Sequence, residues 1–496
     1  MKPRYFPDFQ SFKEKMSSGN IIPVYRNLMA DTLTPVSAYR KVAGGRYAFL
    51  LESAAGPDRI GRYCFLGGSP FARMRCRGNT VETERDGEVV KREMSEPFSH
   101  FRAFLNEYRM APVEGLPRFS CGAVGYMGYD VVRYVEHLPD SPVDDRGLAD
   151  MYFMFYDEIL IFDHLDKTLK VVCSVRTDGK SARSAYDEAT ARIDAMIERL
   201  RTPVDELSRD IDPGDDTPVD YESNFSRDDY LHVVERCKEY IRAGDIFQVV
   251  PSQRLKVATG ASAFDIYRSL RVINPSPYMF LLKMGDLQLI GSSPEVMTRV
   301  EGRTATVRPI AGTRRRGGNE EQDRRMEAEL LADPKERAEH VMLVDLGRND
   351  LGRVCRYNSV RVDELMVIER YSHVMHIVSN VSGELSPGRD ALDALLACLP
   401  AGTLTGAPKI RAMEIIDEME TTRRGPYGGA VGYFNFSGNM DTCITIRTIV
   451  LKDGCAYVQA GGGVVADSVP EREYEETLNK AKALLRAIQA AGSPHA

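Results

Sequence analysis

The sequence predicts an α+β fold built on antiparallel sheet, and three observations predict it. Short β-branched runs are joined by tight-turn signals, as in MTRVEGRTATVRPI around Glu301-Gly302 and TCITIRTIVLKDGCAYVQAG around Asp453-Gly454. Helices with an apolar stripe stand among these runs without the regular strand–helix alternation of a doubly wound parallel sheet. The pentapeptide GAVGY occurs at Gly122–Tyr126 and again at Gly429–Tyr433, which would mark a duplicated unit.

In chain order, residues 1–205 form an N-terminal part. An acidic Pro- and Gly-containing linker follows over 206–223, and a second part runs over 224–490. The second part opens on a helix: Ser226 is its N-cap, Tyr230, Val233, Val234, Cys237, Tyr240 and Ile241 lie on one stripe, and Gly244 stops it. DIFQVVPSQRLKV behind it reads as a strand. A further helix starts after Asp333-Pro334, CITIRTIV reads as one strand, and DSVPEREYEETLNKAKALLRAI reads as a helix with a capping box from Ser468 to Glu471.

Composition narrows the function classes. The 496 residues carry a net charge of -7, so no general field favours a nucleic acid. Nine scattered cysteines form neither a disulfide framework nor a zinc pattern, and they suit a reducing compartment. Without an apolar leader or an apolar run of about 18 residues, a soluble cytoplasmic protein with no membrane span is expected.

Four features carry chemistry. Glu336 and Glu339 share a helix face at i, i+3, and Glu473 and Glu476 repeat that spacing with Lys480 one turn on. Acids so placed suit a hard divalent cation such as Mg²⁺, or are simply solvated helix faces. GTLTGAPK, Gly402–Lys409, delivers a loop to a helix N-terminus at Pro408, which favours an anion, yet it is not a P-loop. Arg447, placed inside a strand, calls for a fixed anion, either an internal acid or a substrate carboxylate. Gly461, Gly462 and Gly463 allow a close backbone approach to a ligand, or mark a bulge or turn.

NPSPYMF, GSSPE, RPIAGTRRRG, LVDLGRNDLGRV, GTLTGAPKIRAMEII, YGGAVGYF and DSVPEREYEETLNKA stand in the order and rough spacing of the chorismate-utilising enzymes. The chain resembles that family, and LLES near its N-terminus resembles the anthranilate synthase component I branch. The resemblance implies an α/β sandwich of two large antiparallel sheets with flanking helices. It implies an Mg²⁺-dependent lyase that turns chorismate and ammonia into anthranilate and pyruvate, the first step of tryptophan biosynthesis.

By the same resemblance, Glu295 is the general acid and His376 assists the elimination. Glu339 and Glu476 hold Mg²⁺, with Glu336 and Glu473 behind them. Thr403, Tyr427, Arg447, Gly461, Gly462, Gly463 and Lys480 hold substrate. Gln248 stands where water-activating relatives have lysine, and Ala311 stands where many aminodeoxychorismate synthases have lysine, so the resemblance favours anthranilate chemistry. AGGG replaces the family's AGAG, with Gly462 in place of alanine. Arg314 to Arg316 remain unassigned and are expected to pair with acids such as Glu320 and Glu321.

An L-tryptophan inhibitory site is implied at Glu52, Ser53 and Arg62 on one side. Pro277, Tyr278, Met279, Phe280, Val431, Gly432 and Tyr433 form the other. No glutaminase elbow is visible, so ammonia is expected from a glutamine amidotransferase subunit, in a heterotetramer of two large and two small chains. The alternatives are aminodeoxychorismate synthase component I and a catalytically silent tryptophan-binding regulator on the same fold.

Overall fold

Two large antiparallel sheets face each other across a shared apolar layer in the computed structural model, which describes residues 4–53, 61–203, 218–371 and 374–492. In the first sheet the strands run in the order Ile21–Met29, Thr168–Arg176, Glu158–Asp163, Tyr63–Gly67, Tyr47–Glu52, Tyr278–Met284, Leu287–Ser293, Thr448–Lys452, Cys455–Gly461, Ser252–Ala258, Glu222–Ser223. The second runs Ile310–Arg315, Val374–Glu384, Thr304–Val307, Val296–Glu301, Met440–Ile444, Ala430–Asn435, Gly122–Met127, Met151–Tyr156, Ala72–Arg77, Thr80–Arg85, Glu88–Glu93. Arg361–Arg370 also pairs with Val374–Glu384. The α+β expectation holds, and both sheets are built from both parts of the chain. Most of the 206–223 linker, residues 204–217, lies outside the described residues.

Strand order in each sheet reads outward from the middle as the same series twice. Tyr47–Glu52 and Tyr278–Met284, with the similar sequences YAFLLE and YMFLLKM, pair at the centre of the first sheet. The two GAVGY segments pair at the centre of the second, with Gly432 opposite Gly125 and Val431 opposite Tyr126. The repeated pentapeptide therefore marks the seam where two similar halves of the fold meet.

Burial follows strand alternation. Phe49, Phe65, Tyr126, Tyr156, Phe280, Leu289, Val431 and Val450 point between the sheets. On the outer face of the first sheet, Leu50, Leu66, Leu281 and Ile449 pack against helices carrying Ile193, Ile266, Leu270, Leu484 and Ile488. The second sheet is covered likewise by Phe101, Phe104, Val344, Leu392 and Leu395. Layers run helix, sheet, sheet, helix.

Local signals behave as their chemistry requires. Ser226 Oγ accepts from Asp229 N at 3.1 Å and Gly244 closes that helix at φ 87°. Asp333 Oδ1 accepts from Lys335 N at 3.0 Å at the head of Pro334–Gly352. The Asp453-Gly454 turn has φ of 49° and 71°, as a tight hairpin demands. Three expectations fail. Ser468 Oγ accepts from Val465 N at 3.0 Å, so no Ser468–Glu471 capping box forms. DIFQVVPSQRLKV splits into Gln248–Val249 and Ser252–Ala258 around Pro251. CITIRTIV also breaks: Met440–Ile444 belongs to the second sheet and Thr448–Lys452 to the first, with Arg447 at φ 50° in the crossing.

Candidate active site

The site lies where the chain steps from one sheet to the other. GSSPE makes one crossing, from Leu287–Ser293 to Val296–Glu301, and places Glu295 there. Thr445–Arg447 makes the neighbouring crossing, and Ser293 Oγ ties the two by donating to Ile444 O at 2.7 Å.

Glu295 is 7% exposed, and burial pushes its carboxyl up to about 8. The Ile310 backbone N–H, the Thr403 hydroxyl and the Lys480 charge act against that shift. Thr403 Oγ1 is buried near the Glu295 carboxyl but, among the described residues, makes no hydrogen bond of good geometry, so it is free to turn to a ligand. A carboxyl that keeps its proton near neutrality is what a general acid needs.

His376 stands on Val374–Glu384 with Nδ1 3.1 Å from Gly312 O and 3.0 Å from Thr313 Oγ1. A carbonyl only accepts, so Nδ1 carries the proton in that contact and Nε2 keeps its lone pair. Burial holds the imidazole below its ordinary value, and the Arg447 charge adds to that. Ala311 sits between Ile310, whose N–H meets Glu295, and Gly312, whose carbonyl holds His376. That strand end is a wall of the site.

Arg447 is half-buried, and that burial lowers its pKa. Its Nη1 donates to Lys480 O at 3.2 Å, and among the described residues it forms no ion pair. Lys480 Nζ meets Glu476 Oε1 at 2.7 Å and Gly461 O at 2.9 Å, fixing the glycine run. The Tyr427 hydroxyl lies beside Gly461, 3.1 Å from where a Cβ there would stand. A Cβ at Gly461 would lie 2.6 Å from Pro251 O and one at Gly463 2.8 Å from Gln248 Nε2, while one at Gly462 meets Glu473 Oε2 at 3.0 Å. The first position excludes a side chain, the second would take one only if the Gln248 amide moved, and the third is merely tight.

The four acids gather on two facing helices. Burial and Glu336, one turn back on the same helix, push Glu339 up, and burial with Glu476 does the same to Glu473. Arg314 draws Glu336 to 2.9 Å and Lys480 draws Glu476, so no three acid or histidine side chains form a ready cage among the described residues. Hard oxygen donors with mutual repulsion left over fit a divalent cation.

Other sequence expectations meet different partners. Arg314 pairs with Asp333 and Glu336, and Arg316 with Asp323, whereas Glu320 and Glu321 pair with Arg324 and Arg325. The anion near the Pro408 helix start is internal, since Lys409 Nζ holds Asp350 at 2.7 and 2.8 Å.

Sequence reasoning missed the knot beneath the site. Glu420 and Arg424, 5% and 2% exposed, pair in the interior. Arg424 also donates to Leu404 O and Val250 O, each at 2.7 Å. Their i, i+4 spacing was the available signal.

At the second group of residues, Glu52 lies directly across from Met279, and Val431 and Tyr433 share the inter-sheet layer with Tyr278 and Phe280. Ser53 Oγ is buried and has no hydrogen-bond partner among the described residues. Glu52 is taken by Tyr267 and by Arg271 at 3.1 Å, and Arg62 by Asp163 at 2.8 Å and Asp166 at 2.9 Å, so neither guanidinium nor carboxylate is free there.

The family model described as chorismate binding enzyme matches residues 46–486. The chain belongs to the chorismate-binding enzyme family. It is 50% identical to anthranilate synthase component 1 of Acetivibrio thermocellus, over 98% of this chain and 99% of that one. It is 50% identical to the Pseudomonas putida protein of the same name, over 95% of each. The crystal structure of anthranilate synthase component I from Streptococcus pneumoniae TIGR4 matches with TM-score 0.77 and 37% identity, covering 92% of this chain and 99% of that one. Among the described residues of this family member, no helix is long and apolar enough to cross a membrane.

Proposed function

We propose that this chain is the large subunit of an anthranilate synthase, making anthranilate and pyruvate from chorismate and ammonia in the cytoplasm. The observation that carries the reading is Arg447, a half-buried guanidinium with no ion pair among the described residues, near His376 with its Nε2 lone pair and in the same corner region as the raised carboxyl of Glu295. A small dicarboxylate supplies the missing anion.

Arg447, Tyr427 and the Gly461–Gly463 backbone hold the substrate while Thr403 orients it against Glu295. Glu295 gives its proton to the departing ring hydroxyl, which leaves as water as ammonia bonds to the ring. His376 Nε2 then assists removal of the ring proton as the enolpyruvyl group departs as pyruvate. Mg²⁺, held by Glu339 and Glu476 with Glu336 and Glu473 behind, neutralises the ring carboxylate when bound. Ammonia comes from a glutamine amidotransferase subunit, with two chains of each kind in the assembly. The name component 1 of the relatives supports a second component.

The test supplies chorismate with either ammonium or glutamine, with and without Mg²⁺. Turnover with ammonium, none with glutamine alone, and loss on chelation are expected. Turnover that ignores ammonium and chelation refutes the reading. The same assay addresses inhibition: Ser53→Phe, filling the buried site of an unpartnered hydroxyl, is expected to raise the half-inhibiting tryptophan concentration at least roughly tenfold, about 1.4 kcal/mol, with turnover largely kept. Unchanged inhibition removes tryptophan from this pocket.

A further inference from the structure

A small cavity with Tyr427 in its wall opens between the two sheets. Arg254, Gln459, Tyr457, Val450 and Thr448 line it from the inner face of the first sheet, and Arg146, Tyr427 and Thr445 close it. Arg254 and Gln459 are direct cross-strand neighbours, as are Val450 and Tyr457. Its free volume, about 10 Å³ for the centre of a water-sized species, holds one small occupant.

Charge in this wall does not balance. The side chains of Arg146 and Arg254 are 6% and 5% exposed, and they share one carboxylate, Asp145. Asp145 pairs closely with Arg254 and lies 3.9 Å from Arg146 Nε. The other contacts of the two guanidiniums carry no formal negative charge: Arg146 Nη2 donates to Arg423 O and Arg424 O at 3.1 and 3.0 Å, Arg254 Nη1 to Arg423 O at 3.3 Å, and both lie over the Tyr457 ring, 5.5 and 5.7 Å from its centroid. Lys452 adds a third cation, its Nζ donating to Arg146 O at 2.8 Å, and its own acid, Asp453, is 3.9 Å away and exposed. Burial and the adjoining Arg254 charge pull Arg146 down to about 10, the response of a cation short of counter-charge.

Two polar groups at the cavity lack hydrogen-bond partners among the described residues. Thr445 is fully buried and its hydroxyl has a proton with nowhere to go, while Gln459 Oε1, its amide donating to Ser252 Oγ at 2.8 Å, is left among the guanidiniums. We infer that this cavity binds a single small monovalent anion of the halide class, held by Arg146, Arg254 and the Thr445 hydroxyl. The alternative occupant is one water molecule, which would satisfy Thr445 and Gln459 but leave the charge surplus standing. The cavity shares Tyr427 with the site proposed above and adjoins the Thr445–Arg447 crossing, so its test reads stability rather than turnover.

The test melts the full chain in chloride, bromide or gluconate at fixed ionic strength. Saturable stabilisation of roughly 1–3 °C by chloride and bromide, absent in gluconate, is expected. Thr445→Val, which removes the unpartnered hydroxyl, should move the halide midpoint at least roughly tenfold higher. Should that variant fail to fold, crystals of the unaltered protein soaked in bromide give a second reading: an anomalous peak between Arg146 and Arg254 supports the site. Melting that tracks ionic strength alone, or bromide-soaked crystals with no peak between those residues, overturns it.

Discussion

Glu295→Gln is expected to lower kcat/KM for chorismate by about 10³-fold, within the range that a positioned general acid contributes. Gln keeps the shape of the side chain but has no acidic proton to give, so the loss falls on kcat while KM for chorismate changes little. The wild-type pH profile checks the same group. With the carboxyl at about 8, the proton-bearing fraction falls as pH rises through that value, and activity declines with it. Stability follows by linkage: the folded value lies above the unfolded 4.5, so the contribution is complete below about 4.5 and lost as pH rises through about 8. Removing the group removes that loss, and Glu295→Gln should gain on wild type between pH 5 and pH 9. A variant with unchanged kcat/KM would take the acid role away from Glu295.

Glu420→Ala should destabilise the fold by about 3–5 kcal/mol, because it leaves the Arg424 guanidinium buried without its carboxylate. Denaturant midpoints measure this directly. Glu420 Oε1 also accepts from Ser252 N and Oγ, each at 2.8 Å, and Arg424 holds the carbonyl of Leu404, next to Thr403. Chorismate binding in the folded fraction should weaken too. Glu420→Gln keeps an acceptor for Ser252 and should cost less. A Glu420→Ala protein within about 1 kcal/mol of wild type would mean that water or a shifted acid replaces the carboxylate.

What the sequence made legible follows from local chemistry. Asp453-Gly454 announced a hairpin because few residues accept positive φ, and Ser226 announced a helix start because its hydroxyl meets an orphan N–H. The crossings between sheets were not legible. A β-branched run such as CITIRTIV has the same pattern whether it stays in one sheet or bends at Thr445–Arg447 into another. The position of Arg447 was marked by the family's motifs, but its place at a sheet corner was not. Arg314 illustrates a second limit: its partners Asp333 and Glu336 lie 19 and 22 residues away, whereas Glu320 and Glu321 looked nearer. Glu420 and Arg424 show a third, since an i, i+4 ion pair reads as a solvated surface feature until tertiary packing closes over it. The duplicated GAVGY was visible as a repeat, while its role as the pairing seam of the two halves needed the sheet register.

The most direct test of the central claim is the identity of the product. The purified chain, given chorismate, Mg²⁺ and excess ammonium, should release a fluorescent aromatic amine whose mass is that of anthranilate, together with one equivalent of pyruvate. A product that retains the enolpyruvyl group, with no pyruvate released, would contradict the account and place the chain with the aminodeoxychorismate-forming members of its family.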